Sequence, residues 1–229
     1  MNEFIPKAFV FDMDGLLLDS EAVYEKAWIM AADMWNLDGI DRIHKSVLGF
    51  SEADTILVLK KNYGQDFDAK GFWDLTTDLS LDIMNETGVP EKPFARETLA
   101  WLKNQSYSIA LASSNSRELV IHLMTKAGML SYFDVMVCGD EIARAKPDPE
   151  IYRTACQKLS MSPGDCVAVE DSPNGILSAW NAGLKCVMIP DRVPADENIK
   201  KHLWKLLNNL GELKVEGLSR GFEIATQFP

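Results

Sequence analysis

Four carboxylates, one lysine and a serine-rich segment are the residues of this chain whose types and spacing could do chemistry together. Asp12 and Asp14 lie in Asp12-Met13-Asp14-Gly15, Ser113-Ser114-Asn115-Ser116 follows much later, Lys146 opens Lys146-Pro147-Asp148-Pro149, and Glu170-Asp171 opens Glu170-Asp171-Ser172-Pro173-Asn174-Gly175. Taken singly, each has an ordinary structural use. An Asp or Ser in such a place more often caps a helix than catalyses, and Ser116 and Ser172 read as caps; Lys146 could be a solvated loop charge and Gly15 a turn relaxer. Gathered in one crevice, Asp12, Asp14, Glu170 and Asp171 would repel one another without a cation between them. Oxygen ligands with no His or Cys favour Mg²⁺ over zinc. Ser113, Ser114 and Asn115 would offer hydroxyls and backbone N–H groups to an anion at a helix start, and Lys146 would add a point positive charge. A metal, carboxylates and an anion pocket together suggest phosphoryl transfer, for which an Asp nucleophile is an established route.

Five short apolar runs must position these groups: Lys7 to Phe11, Ser108 to Ala112, Asp134 to Cys138, Cys166 to Val169 and Lys185 to Ile189. Each is continuously apolar, as strands covered on both faces are, and open α/β sheets bind ligands outside the carboxyl ends of their strands. Asp148-Pro149 precedes EIYRTACQKL, and Ser172-Pro173 precedes NGILSAWNAG with Gly183 as its stop, both reading as helices. The alternation predicts a Rossmann-like, doubly wound parallel α/β sheet. The runs start at 7, 108, 134, 166 and 185, so the first interval is 101 residues against 26, 32 and 19 for the others. A crossover needs only about a dozen residues or more, so a domain must be inserted there. Tyr24, Trp28, Ala31 and Trp35 recur at helical spacing from near Ser20; Ile56, Leu57, Val58, Leu59 and Tyr63 form a second stripe, and Phe72 to Met84 a third. These predict a helical insert with Trp28 and Trp35 in its core. The expected division is a core of residues 1–18 and 93–229 and a helical domain of residues 19–92. Beyond Asp191 the pattern predicts one amphipathic helix near Lys200 to Leu210.

Composition narrows the function classes. The chain has 229 residues, 47% hydrophobic, with 23 Lys+Arg against 34 Asp+Glu, a net charge of −11. That length can bury a substantial core, and the charge would repel nucleic acid and anionic membranes. Cys138, Cys156, Cys166 and Cys186 form no CxxC, which predicts reduced, buried thiols. No run approaches the ~18 apolar residues of a membrane span. A soluble, cytoplasmic protein is expected, with no nucleic-acid or membrane partner. A monomer is expected too, since the two-domain plan needs no second chain to make the site.

The strings FDMDGLLLDS (Phe11 to Ser20), LASSNS (Leu111 to Ser116), KPDPEIY (Lys146 to Tyr152) and VEDSPNGILSAWNAG (Val169 to Gly183) occur in that order. Together they resemble the haloacid dehalogenase (HAD) superfamily of aspartate-nucleophile phosphatases, in the branch with a helical cap of C1 type, close to β-phosphoglucomutase and sugar-phosphate phosphatases. The resemblance implies that Asp12 is the nucleophile and Asp14 the general acid and base. It implies Mg²⁺ held by Asp12, the backbone carbonyl of Asp14 and Asp171, with Glu170 nearby in the first or second shell. Ser113 and Lys146 would bind the transferred phosphoryl group.

Within that resemblance two activities compete. Mutases of this branch carry a His soon after the first motif, where this chain has Tyr24, and a basic cap residue where Leu48 to Thr55 places Glu52. A carboxylate there would repel a bisphosphate intermediate, so hydrolysis of a small phosphomonoester, a sugar phosphate by resemblance, is expected over isomerisation. Phe50, Glu52 and Trp73 are the candidates for facing substrate. Phe94 replaces the Gly that relatives have at the return to the core, in a hinge expected to move at each turnover. A non-catalytic phospho-sugar-binding module would be expected to have lost Asp12 or Asp14, and a receiver domain would have no helical insert.

Overall fold

Strand β1 (Ala8–Phe11) of the computed structural model, which describes residues 4–48 and 52–213, is buried along its whole length. Its run of Ala, Phe, Val and Phe is covered on both faces because it lies centrally in a six-stranded sheet of order β3-β2-β1-β4-β5-β6. The others are β2 (Ser108–Ser113), β3 (Val135–Cys138), β4 (Cys166–Glu170), β5 (Lys185–Met188) and β6 (Lys205–Leu206). All pairings are parallel. Successive strands leave β1 first to one side and then to the other, which makes this a doubly wound, Rossmann-like α/β sheet. The register sets Phe11 beside Leu111 on one side and Val169 on the other. The next residues, Asp12, Ala112 and Glu170, therefore emerge at one level at the carboxyl edge.

All five expected strands form, and the sixth was not expected. The helix expected near Lys200 to Leu210 is absent. Helix α9 spans only Glu197–Lys200, capped by Asp196, and the chain then extends along β5. Trp204 N donates to Cys186 O at 2.8 Å and Leu207 N to Met188 O at 2.9 Å. The spacing of Leu203, Leu207 and Leu210 imitates a helix, but the open edge of β5 offers backbone partners that a surface helix would leave unmet.

The chain divides into two compact units, one formed by Met1–Leu18 with Glu91–Pro229 and the other by Asp19–Pro90. The first carries the sheet with α5 (Ala95–Asn104), α6 (Arg117–Lys126), α7 (Glu150–Lys158) and α8 (Pro173–Ala182). Ser116 caps α6 through Leu119 N, and Ser172 caps α8 through Gly175 N, with Pro173 in its first turn and Gly183 in the left-handed region at its end. The four cysteines are buried and free. Phe94, at the start of α5, has φ +66°. This is the left-handed region that glycine enters without penalty and that a side chain as bulky as Phe seldom adopts.

The second unit comprises α1 (Ser20–Trp35), α2 (Ile40–Ser46), α3 (Glu52–Tyr63) and α4 (Ala69–Thr87). Trp28 and Trp35 both meet Phe72 edge to face, at 5.5 and 5.7 Å between ring centroids, and belong to its apolar core. Two expectations need correction. Leu57, placed in the second apolar stripe, is exposed, whereas Leu59 is buried, Ile56, Val58 and Tyr63 pack partly buried against the core, and Thr55 is buried without having been expected there. Helix α2 was not anticipated, because its seven residues are too few to show a period. Among the described residues, no helix is long and apolar enough to cross a membrane.

Candidate active site

The carboxyl edge of β1 turns sharply at Gly15, whose N–H donates to Leu18 O at 2.8 Å. Gly15 has φ +71°, and a Cβ there would lie 2.3 Å from Oδ2 of Asp171. Only glycine lets the turn after Asp14 approach the end of β4 so closely.

Lys146 ties three strands together. Its side chain is 8% exposed, and its Nζ donates to Asp12 Oδ1 at 2.5 Å, Glu170 Oε1 at 2.7 Å and the Ala112 carbonyl at 3.1 Å. The three donors of the ammonium thus meet the residues that the register brought level. Beneath it lies Tyr152, whose ring centroid is 5.3 Å from Nζ and whose hydroxyl donates to Glu170 Oε1 at 2.8 Å. Oε2 of Glu170 accepts from Asp171 N at 3.1 Å, Ser172 N at 3.2 Å and Ser172 Oγ at 3.0 Å. With five donors on two oxygens, Glu170 is held from behind and has little capacity left for another partner. Tyr152 stands inside the KPDPEIY string but gave no signal of its own, since an aromatic at helical spacing reads as core.

Gly175 is the counterpart of this anchoring. A Cβ at Gly175 would come 1.9 Å from the Glu170 carboxyl carbon. Gly175→Ala is therefore expected to displace Glu170 and to cost about 1–3 kcal/mol through overpacking, lowering Tm by about 2–4 °C per kcal/mol. A calorimetric Tm equal to that of the parent would show that the carboxylate can move aside.

Charge in this cluster is unbalanced. Burial pushes Asp12 up to about 8, with Glu170 and Asp14 adding to the rise and Lys146 opposing it. Burial, then Glu170 and Asp12, holds Asp171 well above the carboxylate range. Burial would also raise Glu170, but Lys146, Tyr152 and the Ser172 N–H outweigh it and keep the group low. Burial works to discharge Lys146, and Asp12 and Glu170 overcome that and raise it. Lys146 and Glu170 are thus the stable ion pair, while Asp12 and Asp171 compete for positive charge.

A divalent cation fits that demand. Asp12, Glu170 and Asp171 each place a carboxylate oxygen within 4.8 Å of the others, and with Glu170 already engaged by its five donors, Asp12 and Asp171 are the two with oxygens to give to an ion. All-oxygen donors suit a hard cation. A second grouping, Cys138, Asp140 and Glu141, is engaged otherwise, because Glu141 pairs with Lys158 at 2.5 Å and Arg117 at 2.8 Å.

A sequence profile of haloacid dehalogenase-like hydrolases matches residues 9–189, from β1 to the end of β5. The chain belongs to this family. Among relatives of this HAD-like hydrolase, a phosphorylated carbohydrates phosphatase of Thermotoga maritima is 30% identical over 179 residues, 78% of this chain and 82% of the relative. Hexitol phosphatase B of Escherichia coli K12 is 28% identical over 192 residues, 80% of this chain and 83% of the relative. The crystal structure of CbbY from Rhodobacter sphaeroides in complex with phosphate superposes with a TM-score of 0.73 at 25% identity, covering 91% of this chain and 96% of that one.

The remaining candidates of the HAD-like hydrolase fall in different places. Ser113 is fully buried at the end of β2, and its Oγ accepts from Asn115 N at 3.2 Å. Ser114 is exposed. The side-chain amide of Asn115 donates to Asp14 Oδ2 at 2.7 Å, so it turns toward a carboxylate. Glu52 lies in the helical unit at the start of α3, where Lys70 Nζ is 3.4 Å away. Trp73 packs half-buried against the core of that unit, and Phe50 lies outside the described residues.

Proposed function

We propose that this HAD-like hydrolase is a Mg²⁺-dependent phosphatase that hydrolyses a small phosphorylated carbohydrate through an aspartyl-phosphate on Asp12. The observation that carries the reading is the Asp12 carboxylate, held by Lys146 and lying within 4.8 Å of Glu170 and Asp171 at the edge where three strands end. The two phosphatases among the relatives support the reaction class and the carbohydrate.

An oxygen of Asp12 attacks phosphorus, and the bond from phosphorus to the sugar oxygen breaks as Asp14 delivers a proton to that oxygen. Asp14 then takes a proton from the water that attacks the aspartyl-phosphate, so that inorganic phosphate leaves and Asp12 is regenerated. Lys146 fixes the Asp12 carboxylate and offsets charge on the phosphoryl oxygens. The Ser113 hydroxyl, whose oxygen accepts from Asn115 N, keeps its proton to donate to one of those oxygens. Asp12, the Asp14 carbonyl and Asp171 would hold Mg²⁺, with Glu170 supporting from behind. When bound, the ion supplies charge neutralisation of the carboxylates and the phosphoryl group.

Hydrolysis is preferred to isomerisation because Tyr24 stands where the mutases carry His. Glu52 adds less to this choice than its charge alone suggests, since Lys70 lies beside it.

The test measures phosphate release from p-nitrophenyl phosphate and a panel of hexose and hexitol phosphates, in Mg²⁺ and in EDTA. Release that requires Mg²⁺ and favours a phosphorylated carbohydrate supports the reading. Chelator-insensitive release would overturn the metal, and primed conversion of β-glucose 1-phosphate to glucose 6-phosphate would overturn the choice of hydrolysis.

A further inference from the structure

The Ser113-Ser114-Asn115 segment has the composition of an anion site, yet the side chain of Asn115 is committed elsewhere. Its amide N–H donates to Asp14 Oδ2 at 2.7 Å. The main chain beneath that amide is pinned on both sides: Asn115 N donates to Ser113 Oγ at 3.2 Å, and Asn115 O accepts from Gly139 N at 2.8 Å. Gly139 allows this close approach, since a Cβ there would lie 2.0 Å from the Ser114 carbonyl oxygen. An amide on a rigid mount at the ends of β2 and β3 thus reaches across to the turn that follows β1.

We propose that Asn115 is a positioning residue for Asp14: its donated hydrogen bond fixes the rotation of the Asp14 carboxylate about Cβ–Cγ, so that the carboxyl group meets the leaving oxygen in one orientation. The inference rests on the acid and base assignment made above and adds a residue that acts through Asp14. An aspartate side chain turns readily about χ2, and proton transfer in the transition state requires hydrogen-bond reach to a defined oxygen. Misplacing a reacting group by about 1 Å can cost on the order of 100-fold in rate. Recognition of the phosphoryl group then falls to Ser113, Lys146 and backbone N–H groups, with the Asn115 amide serving proton transfer.

The test follows release of the alcohol in a single turnover, a step that precedes the hydrolysis of the aspartyl-phosphate shared by all substrates, and compares an alkyl phosphate, a poor leaving group that needs the proton, with p-nitrophenyl phosphate, which leaves without it. Asp14→Asn is measured first and is expected to impair the alkyl ester far more than the aryl ester. Asn115→Ala is then expected to slow this release from the alkyl ester by about 10–100-fold, to change release from the aryl ester within about threefold, and to leave the half-saturating concentration of both within about twofold. Asn115→Gln, which retains a donor, should recover part of the loss. Asn115→Asp, of the same shape but with like charge facing Asp14, should be no better than Ala. A rise in the half-saturating concentration at an unchanged release rate would make Asn115 a substrate-binding residue and overturn the proposal. Equal losses on both esters with a lowered Tm would reduce it to a structural role and also overturn it. If Asp14→Asn itself impairs both esters alike, the acid assignment fails and Asn115 falls with it. If Asp14→Asn discriminates between the esters and Asn115→Ala does not, the positioning role alone fails.

Discussion

Asp12→Asn is expected to lower kcat by roughly 10⁴-fold or more, the scale on which removing a nucleophile acts in enzymes that form covalent intermediates. The amide nitrogen cannot attack phosphorus as the carboxylate does, so radiolabelled substrate should leave no label on the variant after rapid acid quench. The same substitution has an opposite effect on stability. Asp12 is raised from an ordinary 3.8 to about 8, so the folded chain binds this proton more tightly than the unfolded chain. Its stabilising contribution is therefore present below about pH 4 and is lost as pH rises toward 8. In EDTA, Asp12→Asn should melt above the parent at pH 8, by at least the about 2–4 °C that 1 kcal/mol produces in a chain of this size. The two should converge near pH 4. In saturating Mg²⁺ the order should reverse, because ligand binding adds stability to the parent. A parent that stays the less stable of the two in Mg²⁺ would separate Asp12 from the metal, and retention of more than about 1% of kcat would separate it from the nucleophile.

Lys146→Met should produce the largest loss of stability of any single substitution at the site. The lysine has 8% of its side chain exposed, and its partners Asp12 and Glu170 have 10% and 0%. Removing one member of a buried ion pair leaves the other charges without compensation and costs about 3–5 kcal/mol, equivalent to a fall in Tm of roughly 6–20 °C. Methionine matches the volume of the lysine stem, so the loss reads out charge more than packing. Adding Glu170→Gln to Lys146→Met removes one orphaned charge, and the double variant should be more stable than the sum of the single losses allows. Strictly additive losses in urea denaturation would show that Lys146 and Glu170 do not act as a pair. Activity should fall with Lys146→Met even where the variant remains folded, since Asp12 loses the group that orients it.

Much of this was legible because sequential residues carried it. Continuous apolar runs revealed five strands, and the 101-residue interval between the first two revealed an insertion. Ser116, Ser172 and Gly183 read as helix boundaries because capping is local chemistry, settled within four residues. The sixth strand was illegible for the opposite reason. Lys205–Leu206 is only two residues long, and it is a strand because β5 has an open edge, which no property of its own sequence records. Leu57 is misplaced because four consecutive apolar positions on α3, Ile56 to Leu59, do not reveal which of them face α4.

The candidate site divides in the same way. Asp12, Asp14, Lys146, Glu170 and Asp171 could be named from residue type and from their places after apolar runs, since only a few charged residues follow the carboxyl ends of strands. The chain alone could not say what each touches. That Glu170 is saturated by Tyr152, Ser172 and Lys146, that Gly175 must lack a side chain to admit it, and that Asn115 faces Asp14 rather than open solvent all depend on contacts between residues 2 to 101 positions apart. Residue identity sets which chemistry a side chain can offer, whereas hydrogen bonding and burial, which act through space at about 3 Å, decide which groups carry charge and which are already engaged.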